Sequence, residues 1–472
     1  MTFQKITPAF IQALETALGT EAVFLDSAIR EAHAEDTSFK LHHAPEVVVK
    51  PSDTEGVSKL LRLCHEARIP VTVQGARSGI VGGAVPICGG VALSMERFDK
   101  ILHIDKANYQ VTVEPGVITE HLQNQLQADG LFYPPDPSGR GWSFIGGNIA
   151  TNAGGPRCVK YGVTRDYVLN LEIVLATGEV MWTGVSALKN STGYNLTHLI
   201  TGSEGTLAVV TKIVLKLLPY PAYNLLMLAP FERAEDACTA VARIFQAGVI
   251  PSALEFMDST ALHYAARYIG GAPFPILPEH EAQLIIEVDG QEMDTLYRDC
   301  EKIAEAIADL NVGEILFADS EAQKNDLWKL RRNVAHALIQ LCYGKLTDDA
   351  VVPRTVLPDL LRGVKTLETE LNFKTANVGH VGDGNMHVIL INENPNESEV
   401  DWYARMQPVK RAIFELIKSL GGMLSAEHGV GYVQKPFMPI FFNEAHLNIL
   451  RGIKKTFDPH GILNPQKIFD ER

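Results

Sequence analysis

The stretch Gly379-His380-Val381-Gly382-Asp383-Gly384-Asn385-Met386-His387 puts two histidines on either side of a turn-forming core. The apolar runs beside it, Thr375 to Val381 and Met386 to Ile391, read as two strands. A four-residue turn over Gly382–Asn385 pairs Val381 with Met386 and sets His380 directly opposite His387 on one face. Cross-strand Cβ atoms lie roughly 4.5–5.5 Å apart, near enough for two imidazoles to share one metal ion. Two histidines in a hairpin also serve as ordinary core or surface residues, and the turn by itself explains the glycines, aspartate and asparagine.

A second polar cluster lies downstream, Ser425-Ala426-Glu427-His428-Gly429-Val430-Gly431. Its carboxylate is a candidate third ligand, which leaves His428 as a base. Two histidines and one carboxylate keep positions open on a metal, as a substrate-binding site requires.

Composition narrows the classes. The 472 residues are 46% hydrophobic, enough for two or three domains with large cores. A formal charge of −14 argues against binding to a phosphate backbone, so no nucleic-acid partner is expected. Met1-Thr2-Phe3-Gln4-Lys5 lacks a basic region followed by an apolar core, and no apolar run reaches membrane-spanning length. The expected location is cytoplasmic, with peripheral attachment to the inner face of the membrane left open. The six cysteines contain no C-x-x-C, which fits a reducing compartment and supplies no iron–sulfur motif.

In the first half, Pro8 to Leu18 reads as an amphipathic helix, and Pro45 to Lys50 and Pro70 to Val73 as strands. Between those strands Val57, Leu60, Leu61 and Cys64 recur at helical spacing behind a cap at Asp53 or Thr54. Gly75-Ala76-Arg77-Ser78-Gly79-Ile80-Val81-Gly82-Gly83-Ala84 then lets backbone N–H groups approach an anion closely. It matches neither G-x-G-x-x-G nor G-K-[ST], and a tight connection explains it equally well. Pro134-Pro135-Asp136-Pro137-Ser138 is a rigid extended segment. Ile145 to Gly155 is small and polar with no apolar period, and reads as a long loop laid along a flat polar ligand. Pro219-Tyr220-Pro221 marks a boundary. Beyond it a strand–helix–strand pattern runs twice, from Leu225 to Phe256 and from Leu284 to Phe317, with a loop over Gly270 to Pro278. A helix from Ser320 to Leu341 carries Arg331, whose planar guanidinium suits a carboxylate and equally suits a salt bridge.

The glycine loop, Pro134–Ser138, Gly146–Gly155, Lys189-Asn190-Ser191-Thr192-Gly193-Tyr194 and Gly202-Ser203-Glu204-Gly205-Thr206 together resemble the FAD domain of the vanillyl-alcohol oxidase flavoprotein superfamily. Gly379–His387, Ser425–Gly431 and Leu463-Asn464-Pro465 resemble its D-2-hydroxy-acid dehydrogenase branch, which holds glycolate oxidase catalytic subunits, D-lactate dehydrogenases and D-2-hydroxyglutarate dehydrogenases. The resemblance covers nearly the whole chain. It implies an α+β fold with a two-subdomain FAD-binding domain (PCMH type) over residues 1–220. A ferredoxin-like substrate and metal domain follows over 221–424, and a C-terminal segment, 425–472, returns to the flavin and completes the active site.

The resemblance also implies roles. Gly75, Ala76, Arg77, Ser78, Gly79, Gly82 and Gly83 hold the pyrophosphate of FAD. Pro135, Asp136, Ser138, Gly146, Gly147, Asn148, Ala150, Thr151, Asn152, Gly155, Gly162, Glu204, Gly205 and Asn464 complete the cofactor site. Arg77 and Ser78 stand where covalent relatives often carry a histidine, so non-covalent FAD is expected. His380, His387 and Glu427 hold one divalent metal, zinc first, with manganese or iron as alternatives. Arg331 and Asn385 orient the substrate acid, and His428 is the general base.

Relatives that prefer 2-hydroxyglutarate tend to carry threonine at Ala335 and lysine at Thr347. Their absence favours D-lactate or glycolate, with Lys345 as a stand-in that keeps D-2-hydroxyglutarate as the alternative. Two other classes compete: a metal-dependent hydrolase and a non-catalytic flavin-binding subunit. The electron acceptor is open among a quinone, an electron-transfer flavoprotein, a cytochrome and an iron–sulfur subunit, and a homodimer is compatible with the chain.

Overall fold

The computed structural model describes residues 3–38, 40–318 and 320–470. Its contacts divide the chain into two compact units, the first made of Met1–Gly154, Val163–Tyr220 and Glu427–Arg472, the second of Gly155–Gly162 and Pro221–Ala426.

The first unit holds two main sheets. The four-stranded one comprises β1 (Val23–Phe24), β2 (Val47–Val49), β3 (Val71–Gln74) and β4 (Val91–Ser94) in the order β1-β2-β4-β3. β2 and β3 both run parallel to β4, and β2 and β4 are wholly buried, as strands covered on both faces must be. The Thr54–Ala67 helix crosses between β2 and β3. Asp53 caps it by accepting from the Gly56 N–H, and Val57, Leu60, Leu61 and Cys64 form its buried stripe. The second sheet is antiparallel, with β5 (Ile101–Asp105), β6 (Gln110–Val113), β8 (Val168–Val174), β9 (Val180–Trp182) and β10 (Val209–Lys216) in the order β5-β6-β10-β8-β9. β7 (Leu131–Phe132) and β11 (Leu218–Pro219) pair separately.

The second unit is one seven-stranded antiparallel sheet. Its strands are β12 (Tyr223–Phe231), β13 (Ala253–Asp258), β14 (Ala282–Gly290), β15 (Leu316–Phe317), β16 (Gly344–Val351), β17 (Lys374–Gly379) and β18 (Asn385–Asn392), in the order β15-β12-β14-β13-β17-β18-β16. The first four take the spatial order 4-1-3-2, with the helices Ala234–Gln246 and Met293–Ile307 after the first and third; this is the split βαβ arrangement. Three further strands widen the sheet. One face packs on the helices Ser259–Ile269, Glu321–Arg332 and Val334–Leu341 through Leu228, Met257, Ile285, Leu330, Leu338 and Ile389.

Two expectations need correction, and one helix is new. Residues 145–151 form a helix, not a loop: Ile145 and Ile149, one turn apart, are fully buried, and the Asn148 amide donates to Thr119 Oγ1 at 2.8 Å. The helix expected over Ser320–Leu341 breaks at Asn333, whose amide donates to the Lys329 carbonyl at 2.8 Å and competes with the next helical turn. The Ser259–Ile269 helix was not anticipated, although Asp258 caps it by accepting from the Ala261 N–H.

Lys410, on the Glu399–Ser419 helix, reaches Asp348 of β16 at 2.6 Å with both side chains buried. Replacing one partner leaves the other charge without its counter-ion in a low-dielectric interior. Lys410→Met should lower unfolding free energy by about 3–5 kcal/mol in urea titration, and Lys410→Met with Asp348→Leu should recover most of that loss.

Candidate active site

The turn after β17 decides where the two histidines lie. β17 and β18 pair Val378 with His387, not His380 with His387. A 3-10 turn at Val381–Asp383 lengthens the connection, and Asn385 donates its N–H to the His380 carbonyl. The expected register was thus displaced by two residues. Side chains alternate with a period of two, so the displacement keeps both histidines on the same face. Their rings meet edge to face with centroids 5.4 Å apart.

Glu255 of β13 stands beneath them, with no exposure. His380 Nδ1 lies 2.6 Å from Glu255 Oε1, and the Arg331 guanidinium forms an ion pair with Oε2 at 2.8 Å. Burial pushes the Glu255 carboxyl up, but the charges of His380 and Arg331 outweigh it and hold the group below its ordinary range. In its neutral form, with Nδ1–H on that carboxylate, His380 would present the Nε2 lone pair, the tautomer that a metal-ligating histidine adopts. On the other side Asp349 of β16 lies opposite His387, with Oδ1 at 3.5 Å from Nε2. The Asn385 amide donates to Asp349 Oδ1 at 2.8 Å and to the Ala350 carbonyl at 2.9 Å, so its donors orient Asp349. Ser425 Oγ and the Ala426 N–H donate to Asp349 Oδ2 at 2.8 and 2.9 Å. Among the described residues Arg331 Nε is buried with no hydrogen-bond acceptor. Neither Glu255 nor Asp349 was singled out from the sequence; each sits in a strand that reads as apolar or acidic without a motif.

The first unit contains its own cavity. Gly75 to Ile80, Gly83 and Ala84 form one wall, Ser138, Gly139 and Phe144 another, and the small residues Gly146, Gly147, Ala150 and Thr151 a third. Asn148, Glu204, Gly205, Glu427 and His428 also line it. Arg77 adopts left-handed backbone (φ +57°), and burial pushes its guanidinium down from its ordinary value. Glu427 Oε1 is 3.7 Å from His428 Nε2. Burial pushes the Glu204 carboxyl up, offset in part by N–H groups of Val430 and Gly431 and by Lys467.

Several expected cofactor residues brace this cavity without lining it. Asp136 pairs with Arg140 at 2.9 Å, and Asn152 ends the Ile145–Thr151 helix and accepts from the Arg165 N–H. The Gly82 carbonyl accepts from Lys467, and Asn464 donates to the carbonyls of Gly83 and Glu204, both at 2.9 Å. Pro135 accepts from Gln123 through its carbonyl. Gly155 and Gly162 belong to the second unit.

Comparisons with known proteins agree with this architecture. A model of the FAD-linked oxidase C-terminal domain matches residues 220–468, and a FAD-binding-domain model matches residues 45–184. A D-lactate dehydrogenase of Anaerostipes hadrus is 36% identical over 99% of this chain and 98% of its own length. The glycolate oxidase subunit GlcD of Bacillus subtilis is 35% identical over 98% and 97%. Among solved structures, p-cresol methylhydroxylase with substrate bound has a TM-score of 0.78 at 17% identity, covering 98% of this chain and 96% of that one. Alkyldihydroxyacetonephosphate synthase gives 0.76 at 21%, covering 99% and 87%. At these identities the structures establish the fold alone, a mixed helix-and-sheet flavoprotein architecture of the PCMH type.

Gly384 closes the turn between the histidines with φ +89°, and a Cβ there would collide with the Val352 carbonyl oxygen. Gly384→Ala should cost at least about 1 kcal/mol of stability, read from the urea midpoint, through left-handed strain plus that collision.

Proposed function

The chain belongs to the FAD-linked oxidase family and is an FAD-dependent oxidoreductase, and from that premise we propose that it oxidises a D-2-hydroxy acid, D-lactate or glycolate first, to the 2-oxo acid. The observation that carries this reading is the buried group His380–Glu255–Arg331 beside His387 on one face of the seven-stranded sheet. A carboxylate-oriented imidazole, a second imidazole and a buried arginine with an unmet N–H match an anionic hydroxy acid and a cation.

His380 and His387 would hold a divalent cation, zinc in preference to manganese or iron, with Glu427 as the third ligand. FAD, bound non-covalently, supplies a two-electron acceptor, and the cation, when bound, lowers the pKa of the substrate hydroxyl. Arg331 receives the substrate carboxylate. Asn385 acts on the acid through Asp349, which its amide orients. His428 takes the hydroxyl proton while the C2 hydrogen departs with its electron pair. Thr347 shares a strand face with Asp349, and its neutral side chain there supports a monocarboxylate. Ala335, exposed on its helix, likewise brings no polar group for a second carboxylate. The name of the Bacillus subtilis relative, a subunit, supports assembly with a further polypeptide, and the electron acceptor is a quinone, an electron-transfer flavoprotein, a cytochrome or an iron–sulfur subunit. Among the described residues no helix is long and apolar enough to cross a membrane.

Anaerobic addition of D-lactate or glycolate should bleach the flavin; L-lactate should not, and a chelator should abolish bleaching until zinc or manganese is restored. His428→Ala should retain FAD and slow reduction roughly 10²–10⁴-fold; reduction at the parent rate would remove His428 from the role. Glu255→Gln should weaken metal retention roughly 10–100-fold in a chelator competition, since a neutral amide no longer fixes the His380 tautomer.

A further inference from the structure

We propose that Glu204 is a positioning residue for His428, acting through the loop that follows it; the inference rests on the reading of His428 as the base. Glu204 was expected to serve the cofactor directly. It does line the cavity, but both oxygens of its carboxylate also accept from the loop after His428. The Val430 N–H donates to Oε1 at 2.9 Å, and the Gly431 N–H to Oε2 at 2.7 Å. Two consecutive backbone amides on two oxygens of one carboxylate fix both the position and the rotation of that loop. His428 lies two residues before the first of those amides.

The clamp is built, not incidental. Glu204 is buried and holds φ +52°, a strained value for a residue with a side chain. Its N–H donates to the Ala150 carbonyl at 2.8 Å, and its carbonyl accepts from Asn464 at 2.9 Å. The carboxylate is therefore anchored to the cavity wall before it reaches the loop. Gly429, between His428 and the clamped amides, has φ +82°. A Cβ there would stand 3.0 Å from the Glu204 carboxylate and press it aside, so glycine suits both the left-handed backbone and the close approach. The Ser425–Gly431 loop has no regular secondary structure of its own.

Glutamine is nearly isosteric but offers one acceptor oxygen, and its NH₂ would face an N–H. Purified Glu204→Gln holoenzyme should keep its FAD content and its dissociation constant for oxalate, an unreactive probe. Its rate constant for flavin reduction by D-lactate or glycolate should fall about 10- to 100-fold, the scale expected for a displaced catalytic group. The Glu204→Gln/His428→Ala double variant should reduce no more slowly than His428→Ala alone, because a residue that acts through another adds nothing once the other is gone. Where Glu204→Gln does not accumulate as folded protein, Gly429→Ala pushes the same loop from the opposite side and should show the same signature. Parent-rate reduction in Glu204→Gln, or multiplicative losses in the double variant, would overturn the inference. Parent-rate reduction in His428→Ala would instead overturn the reading of the base.

Discussion

A carboxylate with no exposure to solvent must be matched by positive or donor groups, because the interior repays so little of its lost hydration. Glu255 is such a group, and the second unit is arranged to satisfy it. One oxygen meets His380 from the turn after β17; the other meets Arg331 from the Glu321–Arg332 helix. Three segments distant in the chain are thereby drawn to one point on the sheet. The same contacts give the site its chemistry: His380 is fixed in rotation, and Arg331 is held beside it with one N–H that meets no acceptor among the described residues.

Asp349 repeats the device one strand over. It gathers Asn385, Ser425 and Ala426 around His387, so each imidazole has its own acidic neighbour. Each pairing costs desolvation and returns geometry. The exchange suits a site whose function depends on ring orientation more than on stability.

The first unit solves a related difficulty with different means. Its cavity is walled by glycine-rich segments, and burial of Ile145, Ile149 and Val85 holds only part of them. Polar groups from the C-terminal segment tie them together as well. Lys467, whose ammonium burial pushes down to about 8, donates to the carbonyls of Gly82 and Val85, and Asn464 bridges Gly83 and Glu204. The backbone of that segment carries left-handed values at Asn464, Gln466 and Ile468. A β-branched residue there is an outlier, and it persists because the surrounding hydrogen bonds over-determine it.

Local pattern was enough for much of this. The stripe Val57–Cys64, the two strand–helix–strand repeats and the turn residues around Gly382 are visible because helix and strand periods and turn chemistry act over a few residues. The pair His380 and His387 was legible for the same reason: an error of two residues in register leaves both on one face. Glu255, Asp349 and the clamp at Glu204 were not legible, since an acid in a strand or loop carries no local mark of the partner it will meet. Nor was the helix at 145–151, which owes its form to Ile145 and Ile149 finding a core that the neighbouring glycines do not announce. The sequence by itself determined the strands and helices that carry a clear apolar period, and which residue types are available for chemistry. Tertiary structure alone decided which charges share an interior. That choice depends on electrostatic matching across long separations in the chain, and no short-range period encodes it.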